Sequence, residues 1–241
     1  MVTVTTYWRP TTMADALELV GRADTRVLAG GTRLNADAST DPVEVVDLQA
    51  LDLGGIGPES EGVLRAGAMA TLQDLADGEE VPAVVREAAR RERPSTLRAQ
   101  GTVGGCVADG SGESELLAAL LVHEAQVHLD TDGGAETAPL ETFLADLPLG
   151  AGRIVTAVSF RTSGTAAAAR TARTPADRAI VAAVARAADG VRRIAVTGVA
   201  STPVLVQPGD QVQPVGDFRG SSEYRRALVD VLVARVQEEI S

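Results

Sequence analysis

The chain has 241 residues, enough for one large domain or two small ones, and 45% of them are hydrophobic, so a substantial core is available. A net charge of −11 and an aromatic content of 2% argue against nucleic acid as a partner, because overall attraction to phosphates and stacking platforms are both missing. No apolar run approaches the ~20 residues of a membrane span, and the N-terminus lacks a signal-peptide pattern, so we expect a cytoplasmic protein with no membrane span.

The first part of the chain predicts a helix followed by two strands. Thr12 can cap a helix in RPTTMADALELV, where apolar residues recur at helical spacing. The segment TRVLAGGTRL predicts a short strand over 26–29 that ends at a glycine pair, and VEVVDL predicts a second, buried strand.

The middle of the chain predicts several strands that follow one another without regular helical crossovers. Strands are indicated in EGVLRAGA, AQVHLD and RIVTAVSF, and helices in TLQDLAD, PAVVREAARRE and PLETFLA. Ser114 can cap a further helix that begins at Glu115. This order favours an α+β fold over a doubly wound parallel sheet.

A weakly patterned segment, RTSGTAAAARTARTPAD, predicts a domain boundary near residue 163, which divides the chain into domains 1–163 and 164–241. Beyond it, PADRAIVAAVARAA predicts a helix, VRRIAVTGV and TPVLVQ predict strands, and SSEYRRALVDVLVARVQEEI predicts a long closing helix. The apolar face predicted for that helix consists of Leu228, Val231, Leu232 and Val236.

Two glycine–threonine turns are the candidate binding elements. In the first, formed by Ala29, Gly30, Gly31 and Thr32, consecutive backbone N–H groups can bind an anion, and glycine lets a ligand approach the backbone closely. The second, Thr102 to Glu115, repeats the glycine pair and the threonine. A plain turn and a capped surface loop remain the alternatives, but two such turns together favour a shared phosphate-bearing ligand. Neither matches a P-loop or a dinucleotide-binding glycine fingerprint.

Five segments, taken in order, resemble one family over nearly the whole chain. They are AGGTRL, TVGGCVADGSGESE, GRIVTAVSF, VRRIAVTGVASTPV and DFRGSSEYRRALVDVLVARV. The chain is similar to the FAD-binding medium subunit of molybdenum hydroxylases of the xanthine and carbon monoxide dehydrogenase type. The resemblance implies a PCMH-type FAD-binding domain with lobes of about 1–55 and 56–163, then a small C-terminal α+β domain with a three-stranded sheet and helices.

The resemblance also implies a division of labour in an oxidoreductase. FAD would pass electrons to NAD, quinone or oxygen, a large subunit would carry molybdopterin, and a small subunit would carry two [2Fe–2S] clusters. The single cysteine, Cys106, agrees with this, because one thiol and two histidines cannot hold a cluster or a structural zinc ion. We expect no metal site in this chain.

Carried over by position, the resemblance assigns FAD contacts to both turns. The first set is Ala29, Gly30, Gly31, Thr32 and Leu34; the second is Thr102, Gly104, Gly105, Cys106, Asp109 and Glu115, with Glu115 accepting hydrogen bonds from ribose hydroxyls. No catalytic acid or base is assigned, since the flavin itself performs the redox chemistry.

Several positions depart from the family pattern. Arg33 replaces a frequent aspartate; its charge could help to bind a diphosphate, but we expect it to face solvent. Cys106 replaces an asparagine, and we expect a small buried hydrophobe rather than a reactive thiol. Asp109, Glu113 and Glu115 would each repel a diphosphate by roughly 1 kcal/mol or more unless they point away.

Two alternatives to the flavoprotein hypothesis stay open. The acidic residues of the second turn are compatible with a flavin-free structural or assembly subunit of the same fold. A stand-alone flavin oxidase is the other, although no acid–base pair supports it. His123 and His128 are expected to be surface or half-buried residues, the alternative being a covalent flavin link.

Overall fold

The computed structural model describes residues 3–36, 41–207 and 209–241, which form three β-sheets. The first sheet is parallel and has the order β1-β3-β2. Its strands are β1 (Thr3–Trp8), β2 (Thr25–Leu28) and β3 (Pro42–Asp47). Helix α1 (Met13–Val20) packs against this sheet and begins at Thr12, whose hydroxyl accepts a hydrogen bond from the Asp15 N–H, as the sequence predicts.

The second sheet is antiparallel and has the order β4-β5-β8-β6-β7. Its strands are β4 (Ile56–Ser60), β5 (Val63–Gly67), β6 (Gln126–Thr131), β7 (Gly134–Pro139) and β8 (Arg153–Arg161). Helices connect these strands: α2 (Leu72–Asp77), α3 (Ala83–Glu92), α4 (Ser95–Arg98), α5 (Val103–Asp109), α6 (Glu115–Val122) and α7 (Leu140–Ala145). Ile154, at the start of β8, packs into the core beneath the first sheet and so joins the two sheets.

Helix α6 lies at the centre of the molecule. Ser114 caps it by accepting a hydrogen bond from the Leu117 N–H, and every residue from Glu115 to Val122 is buried. A helix that is apolar on all sides needs partners on all sides. It packs against α3 and α7, and its core extends to Val184 and Ala195 of the C-terminal part.

The third sheet is antiparallel, with the order β12-β11-β10-β9, and helix α8 (Ser222–Glu239) covers the face opposite to α6. Its strands are β9 (Thr165–Thr171), β10 (Val181–Ala188), β11 (Val191–Thr197) and β12 (Val204–Val206). The predicted domain division at residue 163 falls between β8 and β9. The fold class is α+β, as the sequence predicts, but in the described residues this sheet has four strands and not three.

Two strands of this sheet were not predicted from the sequence pattern. The segment PADRAIVAAVARAA contains β10 and does not form a helix, and the weakly patterned segment at the predicted domain boundary contains β9. Residues 181–186 of β10 are all buried, because helices cover both faces of the sheet. A strand buried on both faces loses the polar–apolar alternation that marks a strand, and alanine adds a helical preference.

The apolar face predicted for α8 is partly wrong. Val231 is 58% exposed, whereas Val229 and Val233 are buried together with Leu232 and Val236. The face that meets the sheet is therefore rotated from the predicted one, and Leu228 lies at its edge.

Candidate functional site

A cavity of about 440 Å³ lies where the end of β2 approaches α5 and the start of β8. It brings together nearly all of the site residues expected from sequence. These are Ala29, Gly30, Gly31, Thr32, Leu34, Thr102, Gly104, Gly105, Cys106 and Asp109. Within the described chain, Glu115 does not line this cavity.

The first turn has backbone N–H groups that are free to bind a ligand. Gly31 has φ +69°, in the left-handed region that favours glycine. Across the described residues, the N–H groups of Gly30, Gly31 and Thr32 donate no backbone hydrogen bond. These residues line the cavity, so their amides are available to an anion.

The second turn differs from the first, which corrects the hypothesis of two equivalent anion-binding turns. Gly104 and Gly105 lie in the first turn of α5, which Thr102 caps by accepting a hydrogen bond from the Gly105 N–H at 3.1 Å. The N–H groups of Val103 and Gly104 donate to the carbonyl oxygens of Ala70 and Ala68, each at 2.9 Å. These amides are already used by the fold.

Close packing explains why glycines occupy this helix. A Cβ at Gly104 would lie 2.6 Å from the Cβ of Ala68, so only glycine lets α5 approach the end of β5. A Cβ at Gly105 would approach only the Thr102 hydroxyl oxygen, at 2.9 Å, and otherwise meets open space. The second turn therefore contributes space for a ligand at Gly105, and the first turn contributes free donors.

The cavity is basic although the chain carries a net charge of −11. Arg26, Arg33, Arg93 and Arg153 line it, against the carboxyl groups of Glu92 and Asp109. A cleft lined by an excess of one charge attracts ligands of the opposite charge. The lining therefore favours an anionic ligand.

Asp109 is the acidic residue of the second turn that does face the cavity, and two arginines compensate its charge. Arg33 Nε lies 3.1 Å from Asp109 Oδ1, and an Arg93 guanidinium nitrogen lies 3.6 Å from Oδ2. Arg33 is thus paired across the cavity rather than simply facing solvent, although its side chain is 78% exposed.

Glu113 and Glu115 instead pair with arginines that the described cavity lining does not include, three of them in the C-terminal part and one, Arg91 at 3.6 Å from Glu115, in α3. Glu115 is 6% exposed, and its Oε1 accepts a hydrogen bond from Arg170 Nε of β9 at 2.9 Å. Glu113 pairs with Arg219 and, at 3.6 Å, with Arg178. In the described part of the chain neither carboxylate lines the cavity, and the ribose contact expected of Glu115 stays a prediction.

Cys106 is a buried residue, as expected for a small hydrophobe. Its Sγ lies 3.7 Å from the Ser114 hydroxyl, which donates to Glu92 Oε2 at 2.8 Å. Burial raises the pKa of the Cys106 thiol well above its usual value, which keeps it protonated and unreactive.

Burial also raises the pKa of the Glu92 carboxyl. No sequence pattern indicates Glu92 as a cavity residue, because it lies at the polar end of α3.

The remainder of the lining is aliphatic. It includes Leu34, Leu48, Met69, Leu72, Ile154 and Val155. Among the described lining residues there is no aromatic side chain. Ligand pockets of this size combine such apolar walls with a few convergent polar groups. The cavity therefore suits a molecule with an apolar part and an anionic part.

Neither histidine lines the cavity in the described part of the chain. His123 is 1% exposed, so its expected surface or half-buried position is wrong. Its Nδ1 lies 2.7 Å from the Arg161 carbonyl oxygen and therefore carries the proton. Burial lowers the pKa of His123 to about 4. His128 is half-buried, with Nε2 2.8 Å from the Ser159 hydroxyl.

Residues 3–160 match the family described as the FAD binding domain in molybdopterin dehydrogenase, and the chain belongs to this family. It is an oxidoreductase component whose cofactor is FAD. The cavity fits FAD, since free amides and arginines adjoin aliphatic walls. No described helix is long and apolar enough to cross a membrane.

Individual relatives agree with this family. The chain is 33% identical to the Escherichia coli K12 protein YgfM over 95% of this chain and 93% of that protein. It is 30% identical to the carbon monoxide dehydrogenase medium chain of Hydrogenophaga pseudoflava over 57% of this chain and 50% of that one. The structure of reconstituted CO dehydrogenase from Oligotropha carboxidovorans is similar with a TM-score of 0.84 and 26% identity, covering 98% of this chain and 96% of that one.

Proposed function

We propose that this chain is the FAD-binding electron-transfer subunit of a multi-subunit molybdenum hydroxylase. It passes electrons from [2Fe–2S] clusters on a small partner subunit to an acceptor such as NAD, quinone or oxygen, while a large molybdopterin subunit oxidises the substrate. The family and the similarity to a carbon monoxide dehydrogenase medium chain support this proposal. The single cysteine supports it as well, because the clusters must then lie on another chain.

The chain's own residues bind and orient the cofactor. The free amides of Gly30, Gly31 and Thr32 hold the diphosphate, and the open space at Gly105 admits it close to the backbone. The aliphatic walls exclude water from the apolar part of the cofactor. FAD, when bound, supplies the exchange of one or two electrons that the side chains of this chain cannot provide.

The observation that carries the proposal is the union of free amide donors, arginines and aliphatic walls in one cavity. The buried Cys106 thiol, protonated because its pKa is raised, offers no nucleophile for a covalent route. The role of this chain is therefore binding and electron transfer rather than acid–base catalysis.

The first test is FAD binding by the purified chain. We expect flavin absorbance after purification or, for the stripped protein, saturable quenching of FAD fluorescence in the submicromolar range. A colourless protein that leaves FAD fluorescence unchanged would support the flavin-free assembly subunit instead.

The second test addresses electron transfer. The purified chain, loaded with FAD, is mixed with separately purified and reduced small subunit, and flavin absorbance is followed. We expect bleaching of the flavin bands only when that subunit is present. Substrate turnover by the isolated chain would instead indicate a stand-alone oxidase.

A further inference from the structure

We propose that Arg33 is the residue that selects a diphosphate-bearing flavin, by exchanging its partner Asp109 for the diphosphate when the ligand binds. This inference rests on the proposed function, since FAD is the ligand.

The resting pair is suited to exchange because it is weak. Arg33 Nε lies 3.1 Å from Asp109 Oδ1, yet the Arg33 side chain is 78% exposed. With one partner this exposed, the pair contributes little to stability, since water and salt screen the guanidinium and a long side chain must be held in place. A stronger anion at the same place will therefore capture the guanidinium.

Asp109 tolerates the loss of Arg33. Its side chain is only 12% exposed, and a carboxylate left there without a cation would be costly. Arg93, which is 21% exposed, lies 3.6 Å from the other carboxylate oxygen and stays in place. The second arginine thus keeps the charge of Asp109 compensated while the first one moves to the ligand.

The position of the free amides determines which anion Arg33 meets. Thr32 precedes Arg33 directly, and the unoccupied N–H groups of Gly30, Gly31 and Thr32 line the same cavity. A diphosphate bound by these amides would lie in the same cavity as Arg33, beside the residue that carries the guanidinium. Arginine forms two parallel hydrogen bonds with phosphate oxygens, and these charge-assisted bonds are stronger than neutral ones.

The test compares FAD with riboflavin, which lacks phosphate groups, in fluorescence titrations of the stripped protein. For Arg33→Gln we expect the FAD dissociation constant to rise roughly tenfold, the loss of one charge-assisted hydrogen bond, while riboflavin affinity stays unchanged. The matched control is Arg22→Gln. It removes the same charge from an exposed ion pair, with Glu18 at 2.8 Å, outside the cavity, and should leave both affinities unchanged.

A second variant distinguishes the proposed exchange of partners by Arg33 from a purely structural role of the Arg33–Asp109 ion pair. Asp109→Asn releases Arg33 and removes a competing carboxylate, so we expect FAD to bind about threefold more tightly, an energy within the range of an exposed ion pair. If the pair instead held the cavity open as a strut, Asp109→Asn would weaken FAD binding as Arg33→Gln does. That result, or equal FAD affinity of Arg33→Gln and the unmodified chain, overturns the inference alone. Failure of the unmodified chain to bind FAD overturns the proposed function as well.

Discussion

The backbone of Gly30 lies against the carbonyl oxygen of Gln100, so closely that a Cβ at Gly30 would fall 1.6 Å from that oxygen. This contact joins the turn after β2 to the segment that leads into α5. It therefore brings the two glycine-rich parts of the sequence to one cavity, and it requires glycine because no side-chain atom fits between the two backbones.

Gly30→Ala should separate the two turns. The overlap is with backbone, so the chain must shift, and we expect a loss of unfolding free energy of roughly 3 kcal/mol together with loss of FAD binding. Gly57→Ala is the control, because a Cβ at Gly57 has open space within 4 Å. Chemical denaturation and FAD titration measure the two effects. Equal stability of both variants would show that the contact does not hold the turns together.

Gly31→Ala tests the first turn with a smaller expected loss of unfolding free energy than Gly30→Ala. A left-handed backbone costs a non-glycine residue about 1–2 kcal/mol, and Gly31 has φ +69°. Gly62, with φ +71° in the turn between β4 and β5, is a matched position outside the cavity. We expect both alanine variants to lose similar stability, whereas only Gly31→Ala weakens FAD binding. Equal FAD affinities in the two variants would remove the first turn from the binding site.

Glu115→Gln tests whether that residue serves the fold or the cofactor. Its carboxylate is 6% exposed and pairs with Arg170 at 2.9 Å, so we expect a loss of about 2 kcal/mol of unfolding free energy and little change in FAD affinity. Glu18→Gln, at an exposed pair, should change stability by less than about 0.5 kcal/mol. A variant of normal stability that binds FAD poorly would restore the ribose contact that the family resemblance implies.

His123 makes stability depend on pH in a defined direction. Its pKa is lowered from 6.5 to about 4, so the unfolded state binds more protons than the folded state between these values. The stability present above pH 6.5 is therefore lost as pH falls to about 4, by roughly 3 kcal/mol in total.

The measurement is the unfolding free energy against pH for the unmodified chain and for His123→Asn. Subtracting the unfolding free energies of the two proteins at each pH leaves the contribution of His123. It removes the contribution of Glu92, whose raised pKa gives stability that is present at low pH and lost as pH rises. Parallel pH curves for the two proteins would contradict a buried, neutral His123.

Local chemistry allowed several features to be predicted from sequence. The caps at Thr12 and Ser114, the strand RIVTAVSF and the long closing helix all follow from signals that neighbouring residues carry. The strand β10 could not be predicted in this way, because burial on both faces removes the alternation of polar and apolar residues. The strands β1, β4 and β7 were also missed; each lies at the edge of its sheet and contains no buried residue, so no apolar pattern marks it.

The sequence by itself determined the family, the cofactor class and which short segments gather at the cavity, because glycine, threonine and capping residues act through the backbone next to them. Only the tertiary structure decided how charges pair. Asp109 meets Arg33, which lies 76 positions earlier in the chain, while Glu113 and Glu115 pair with arginines outside the described cavity lining. Such pairing depends on which distant side chains the packed sheets bring within about 4 Å, and one sequence carries no local signal of that distance.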